Sequence, residues 1–223
     1  LSKTVTKLLR YSLTTLPSST CYTSLHYGAQ PSCPEGKELT LPVIFDRTIK
    51  PYILILVTIF AVSFVAGTIA PAAVRMEATK VFQFFVNTYR GVSGGTLFFY
   101  IFTNNLFATI LILVSGLLFG AIPILAISSN GFLQGILYRQ AAEGIGYSKA
   151  AWTVLPHGVF EIPALLIAAS YGLWLGMMVV RRMRGEESTP LKFHIGHASR
   201  QYVAVVLPLL IVAAAIETAL IIM

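Results

Sequence analysis

The sequence is short of charge, of acid and of cysteine. Charged residues fill 11% of its 223 positions, whereas a soluble domain carries about 25%. That shortage excludes an ordinary water-exposed globule. Cys21 and Cys33 are the only cysteines; both precede the first long apolar run, and their spacing fits no zinc or redox signature. Asp46 is the only aspartate, so neither a Ser-His-Asp nor a Cys-His arrangement can be built in the apolar region. HExxH and phosphate-cradling glycine loops are absent too. The net charge of +7 is spread between apolar runs, where lysine and arginine set membrane orientation, rather than along a stripe suited to nucleic acid. No residue is assigned a catalytic role, no nucleic-acid partner is expected, and the expectation is a protein that is not an enzyme.

What fills the chain instead is apolar: 56% of residues are hydrophobic and the mean hydropathy is +0.75. A helix crosses a bilayer with about 20 such residues. Tyr52 to Ala70 reads as a first span. Ala72 to Gly95 mixes Arg75, Glu77, Lys80 and Arg90 with aromatic residues, which suits an amphipathic helix on the membrane surface. Leu97 to Ile127 is too long for one span, and Gly116, Gly120 and Pro123 mark a reversal within it, giving spans near 97–118 and 121–139. The last two run from about Thr153 to Val180 and from about Tyr202 to Ile222. The predicted fold is an all-α polytopic bundle of about five spans over residues 51–223, with an amphipathic helix between the first two. One tilted span over 97–127, giving four in all, is the alternative. Residues 1–50 are polar, lack the apolar core of a secretory signal peptide, and predict a flexible tail. Arg181, Arg182, Arg184, Lys192 and Arg200 place the loop after Val180 in the cytoplasm of a multi-pass cell-membrane protein.

The most informative stretch is Pro156-His157-Gly158-Val159-Phe160-Glu161. It sets an imidazole and a carboxylate four residues apart, on one helix face, at the mouth of an uncharged run. Ionisable groups at membrane depth cost roughly 2.5–3.5 kcal/mol on insertion scales, so they tend to have a partner or a task. Glu161 lies nineteen residues before Val180 and Glu217 fifteen after Tyr202. In antiparallel spans both carboxylates therefore sit toward the outer face. With five spans, Asn104 and Asn105 start from that same face and Asn130 lies near mid-depth. All six side chains can then share the outer half.

Two readings stand open for His157 and Glu161. They are a hydrated helix start, with Pro156 in the first turn, or a built polar site beside a helix interrupted at Pro163. Glu217 either snorkels to the headgroups or partners His157. The three asparagines suit interhelical hydrogen bonds, and Gly116, Gly120, Gly131, Gly135, Gly172 and Gly176 suit close helix packing, with a homodimer through those faces as one use. His157, Glu161 and Glu217 together make a divalent-metal set, the only cofactor considered, but no second histidine accompanies them in the spans. His194 and His197 lack a third ligand.

With these residues in view the chain resembles the stage II sporulation protein M family. The likeness rests on Asn104-Asn105 at the head of a span, Gly116-x-x-x-Gly120, Asn130-Gly131 with Gly135, and PHGVFEIPA from Pro156 to Ala164 followed by Gly172. It covers roughly Ile49 to Met223. The resemblance implies a multi-span helical protein without established enzymatic activity, and a membrane scaffold that recruits cell-envelope partners in the namesake. An ion or small-solute pathway lined by His157, Glu161 and Glu217 is the second reading, and a metal-dependent intramembrane hydrolase the third.

Overall fold

A computed structural model describes residues 48–88 and 91–222, without the side chains at 81, 82, 84–86, 88 and 153–157. The tail expected over residues 1–50 thus lies almost wholly outside the described residues. Among those described there are helices and turns and no strand: α1 Lys50–Thr68, α2 Ala72–Thr88, α3 Gly94–Ser115, α4 Ala121–Ile145, α5 Tyr147–Met183, α6 Leu191–Gln201 and α7 Leu207–Ile222. A π-helical turn, Tyr202–Val206, joins the last two.

Five segments are long and apolar enough to span a membrane: Lys50–Thr68, Gly94–Ser115, Ala121–Ile145, Gly158–Met183 and Leu191–Ile222. The five-span reading therefore holds over the four-span one. The reversal is built where the glycines are. Phe119 and Gly120 take positive φ, 60° and 74°, a conformation glycine reaches freely and a side chain rarely. The chain turns back within five residues, and Ala121 opens α4. Lys50, Met183 and Leu191 lie at one end of the bundle, called inner here.

The five spans are not equivalent. In the apolar window of α5, 72% of residues are buried, against 11–28% in the other four spans. That helix packs against α1, α3, α4 and α7 and feeds two clusters. Ala164, Ile167, Ala168 and Tyr171 join Val206 and Leu210; Leu165, Leu166 and Ala169 join Leu56, Ile112 and Ile127. A helix buried on all sides must be apolar all round, which the run from Ile162 to Val180 satisfies.

Three local expectations need correction. Pro156 does not open its helix, because α5 begins at Tyr147 after Gly146, whose φ of 88° ends α4. Nor does Pro163 interrupt α5, which is continuous through both prolines. Proline removes one donor, and neighbouring helices packed around a membrane helix hold it together. The amphipathic stretch expected to reach Gly95 ends earlier, at Thr88, since Gly94 and Gly95 already belong to α3.

Candidate functional site

Glycine sets the geometry of the inner half. A Cβ placed on Gly116 would lie 2.0 Å from the Gly172 carbonyl oxygen, and one on Gly176 would lie 2.4 Å from the Gly120 nitrogen. Close approach recurs toward the outer end, between α1 and α4. A Cβ on Gly135 would lie 2.0 Å from the Phe64 carbonyl oxygen, one on Gly131 2.6 Å from that of Phe60, and one on Gly67 2.1 Å from that of Phe132. Backbones touch at these positions, and a methyl group has no room. All six glycines singled out in the sequence, with Gly67 added, are engaged within one chain.

These contacts also fix the levels of the polar residues. Gly172 packs on Ile112, Leu113 and Gly116, and α3 and α5 run parallel. Counting back eleven residues from both sides sets Glu161 level with positions 101–105, a range that includes Asn104 and Asn105. Gly94 meets the Ile222 side chain at the other end of the α3–α7 pair. Five residues inward on each helix sets Glu217 level with Phe99, and the α3–α5 register sets position 157 at the same height. Asn130 lies seven residues beyond Pro123, which Gly172 also touches, and is level with Leu165. The six positions thus form tiers rather than a point. His157 and Glu217 are outermost, Glu161, Asn104 and Asn105 lie one turn deeper by about 6 Å, and Asn130 lies a further turn down.

The faces agree with this for the carboxylates. Glu161 is half-buried on the stripe that continues through Ala164 and Ala168, both fully buried in the cluster shared with α7. Glu217 is half-buried beside Ala213, Ala214 and Thr218, the buried stripe of α7. The Thr218 hydroxyl is buried without a hydrogen-bond partner among the described residues. The asparagines are engaged locally: Asn104 Nδ2 donates to Asn105 Oδ1 at 3.3 Å, and Asn130 Nδ2 to the Ala126 carbonyl at 3.2 Å. Asn104 itself is exposed. The side chain of His157 lies outside the described residues. Among those described, no three His, Cys, Asp or Glu residues gather as a metal-ligand set.

Below the tiers, two polar ties cross the bundle. Tyr202 and Thr109 share a hydrogen bond of 2.8 Å between the π turn and α3, both side chains being buried. Ser63 and Ser128 join α1 to α4 at 2.9 Å. At the outer end Glu143 receives Arg75 at 3.3 Å and Arg139 at 2.8 Å, and Arg139 also donates to the Tyr147 hydroxyl at 2.8 Å. This network ties the amphipathic α2 to the α4–α5 corner.

The inner end holds a cluster that the sequence did not announce. His194 and His197 of α6 pack edge-on against Trp174, with ring centroids 5.2 and 5.8 Å apart, and His197 also meets Tyr171 at 6.0 Å. His194 Nε2 lies 3.8 Å from Glu187 Oε1. The Glu187 carboxyl is held below the usual carboxylate range, first by hydrogen bonds from Thr189 and then by the charges of His194 and Arg181. The three-residue spacing of the histidines was the available signal, since it puts both on one face of a helix.

Fold and site together define a polytopic α-helical membrane protein with glycine-lined backbone contacts between its helices and polar positions stepped along its outer half. The profile of the stage II sporulation protein M family matches residues 53–220, and this chain belongs to that family. Among curated proteins, uncharacterized protein MJ0793 of Methanocaldococcus jannaschii is 33% identical over 94 residues, 41% of this chain and 52% of its own length. Uncharacterized protein MJ0706 of the same organism is 38% identical over 80 residues, 36% of this chain and 34% of its own. The matches span about half and about a third of those relatives. No solved structure matches the chain.

Proposed function

We propose that this integral membrane protein is a non-enzymatic scaffold whose stepped polar residues hold the outer ends of α3, α5 and α7 together while recruiting a membrane or cell-envelope partner. Water reaches the outer tiers in this reading and stops above the glycine contacts. The observation that carries it is the backbone contact of Gly116 and Gly120 with Gly172 and Gly176. A route for ions past His157, Glu161 and Glu217 would have to continue inward along α5. There the helices lie too close for a methyl group. The scaffold role is also what resemblance to the family implies.

Flux measurements in proteoliposomes test this reading. The expected result is no sodium, potassium or proton flux above protein-free vesicles, with partner capture from native membranes unchanged by Glu161→Gln. Flux that vanishes in the Glu161→Gln/Glu217→Gln double variant would replace the scaffold with a pathway.

A further inference from the structure

The inner end carries a surface with its own chemistry, separate from the outer tiers. One face of α6 is fixed by docking: Ala198 is fully buried, and His194 and His197 pack on Trp174. The opposite face must therefore look outward, and it carries Lys192, Phe193, Ile195 and Arg200, all exposed. Phe193 is 61% exposed, and the Lys192 ammonium lies 5.4 Å from the centre of its ring. The helix continues through the π turn into α7, so this face stands where a membrane span begins.

Charge is unbalanced there. From Arg181 to Arg200 the chain has five Lys and Arg residues against Glu186 and Glu187. Both acids are engaged locally, Glu186 with Arg181 at 4.0 Å and Glu187 with the Thr189 nitrogen at 3.0 Å and His194 at 3.8 Å. Arg182 donates to the Thr189 carbonyl at 3.0 Å. Arg184, Lys192 and Arg200 remain as exposed cations beside exposed apolar side chains. Cations alone would suit any acidic partner. Cations interleaved with Phe193 and Ile195, at the foot of a span, suit a helix end that passes through the lipid headgroup region.

We propose that the outward face of α6, with Arg184 from the preceding turn, binds the headgroups of anionic phospholipids in the adjoining leaflet. The docked histidines hold the helix in the rotation that presents this face. Such a contact would fix the height of the inner end and, through the π turn, the seat of α7.

The test uses the full chain in nanodiscs of phosphatidylcholine containing a minor fraction of phosphatidylglycerol, transferred to mild detergent, with the retained lipid then quantified. The expected result is several-fold enrichment of phosphatidylglycerol, falling as salt is added. Enrichment should also fall with each cation removed among Arg184→Gln, Lys192→Gln and Arg200→Gln, and the triple variant should abolish it. The outer-end pair Arg75→Gln/Lys80→Gln should keep it. Absence of enrichment in the wild type, as an acidic protein partner would give, overturns the proposal. So does enrichment that ignores salt, a reading that needs no variant to fold, or equal enrichment in the inner-end and outer-end variants.

Discussion

Two stretches of one helix, residues 157–161 and 172–176, show how α5 divides its work. In the deeper stretch glycine brings backbones together until no side chain fits between them. A few turns outward the same helix carries a carboxylate that is only half-buried, level with two asparagines of α3. Close packing without polar atoms excludes water and fixes position. Looser packing with polar atoms keeps groups that a bilayer would otherwise reject. The first stretch supplies rigidity that the second can use.

The largest expected effect comes from breaking the packed stretch. Gly172→Val forces a side chain into the backbone of Ile112 and Leu113 and should cost about 3 kcal/mol or more, since nothing flexible can yield. Thermal unfolding in detergent should show the loss, or the variant should fail to assemble. By contrast, Glu161→Gln keeps size and polarity and should change stability by less than about 1 kcal/mol. Equal losses in the two variants would erase the distinction between the stretches. Tyr202→Phe should fall between these extremes or close to the smaller one. It deletes the hydroxyl bonded to Thr109, and such bonds in membranes average about 0.6 kcal/mol; a cycle with Thr109→Val isolates the pair.

The smallest effect is local and depends on pH. Because the folded protein holds the Glu187 carboxyl below its usual range, its contribution is present above the unfolded value of about 4.3. It is lost as pH falls through the lower folded value. The protection of the Thr189 amide, bonded to Glu187 at 3.0 Å, with its exchange measured against the intrinsic rate at each pH, should fall over that acidic window and stay constant in Glu187→Gln.

Much of this was legible in the sequence, because membrane spans are written in length and apolarity. Gly116, Gly120 and Pro123 announced the reversal, and the glycine spacings announced close approaches, although not which helices would meet. Three features were hidden. Residues 147–152 of α5 lie ahead of the start expected near Thr153, and their Ser148 and Lys149 do not read as span. The continuity through Pro163 comes from packing, not from propensity. The π turn before Pro208 belongs to the same class: a proline ring crowds the carbonyl four residues back, here Ala204 within the widened turn, and spacing alone does not show how a helix makes room. For the outer polar positions, sequence depth led to the expectation that all six side chains share the outer half. It could not resolve tiers one turn apart.

Thiol accessibility tests the central claim most directly. In a Cys21→Ser/Cys33→Ser background, single cysteines are placed at Glu161, Glu217, Ala168 and Ala169 and exposed to a membrane-impermeant maleimide in nanodiscs. The account expects labelling at 161 and 217 and none at 168 and 169. Labelling at all four positions would mean that water passes the polar tiers into the buried middle of α5, and would contradict it.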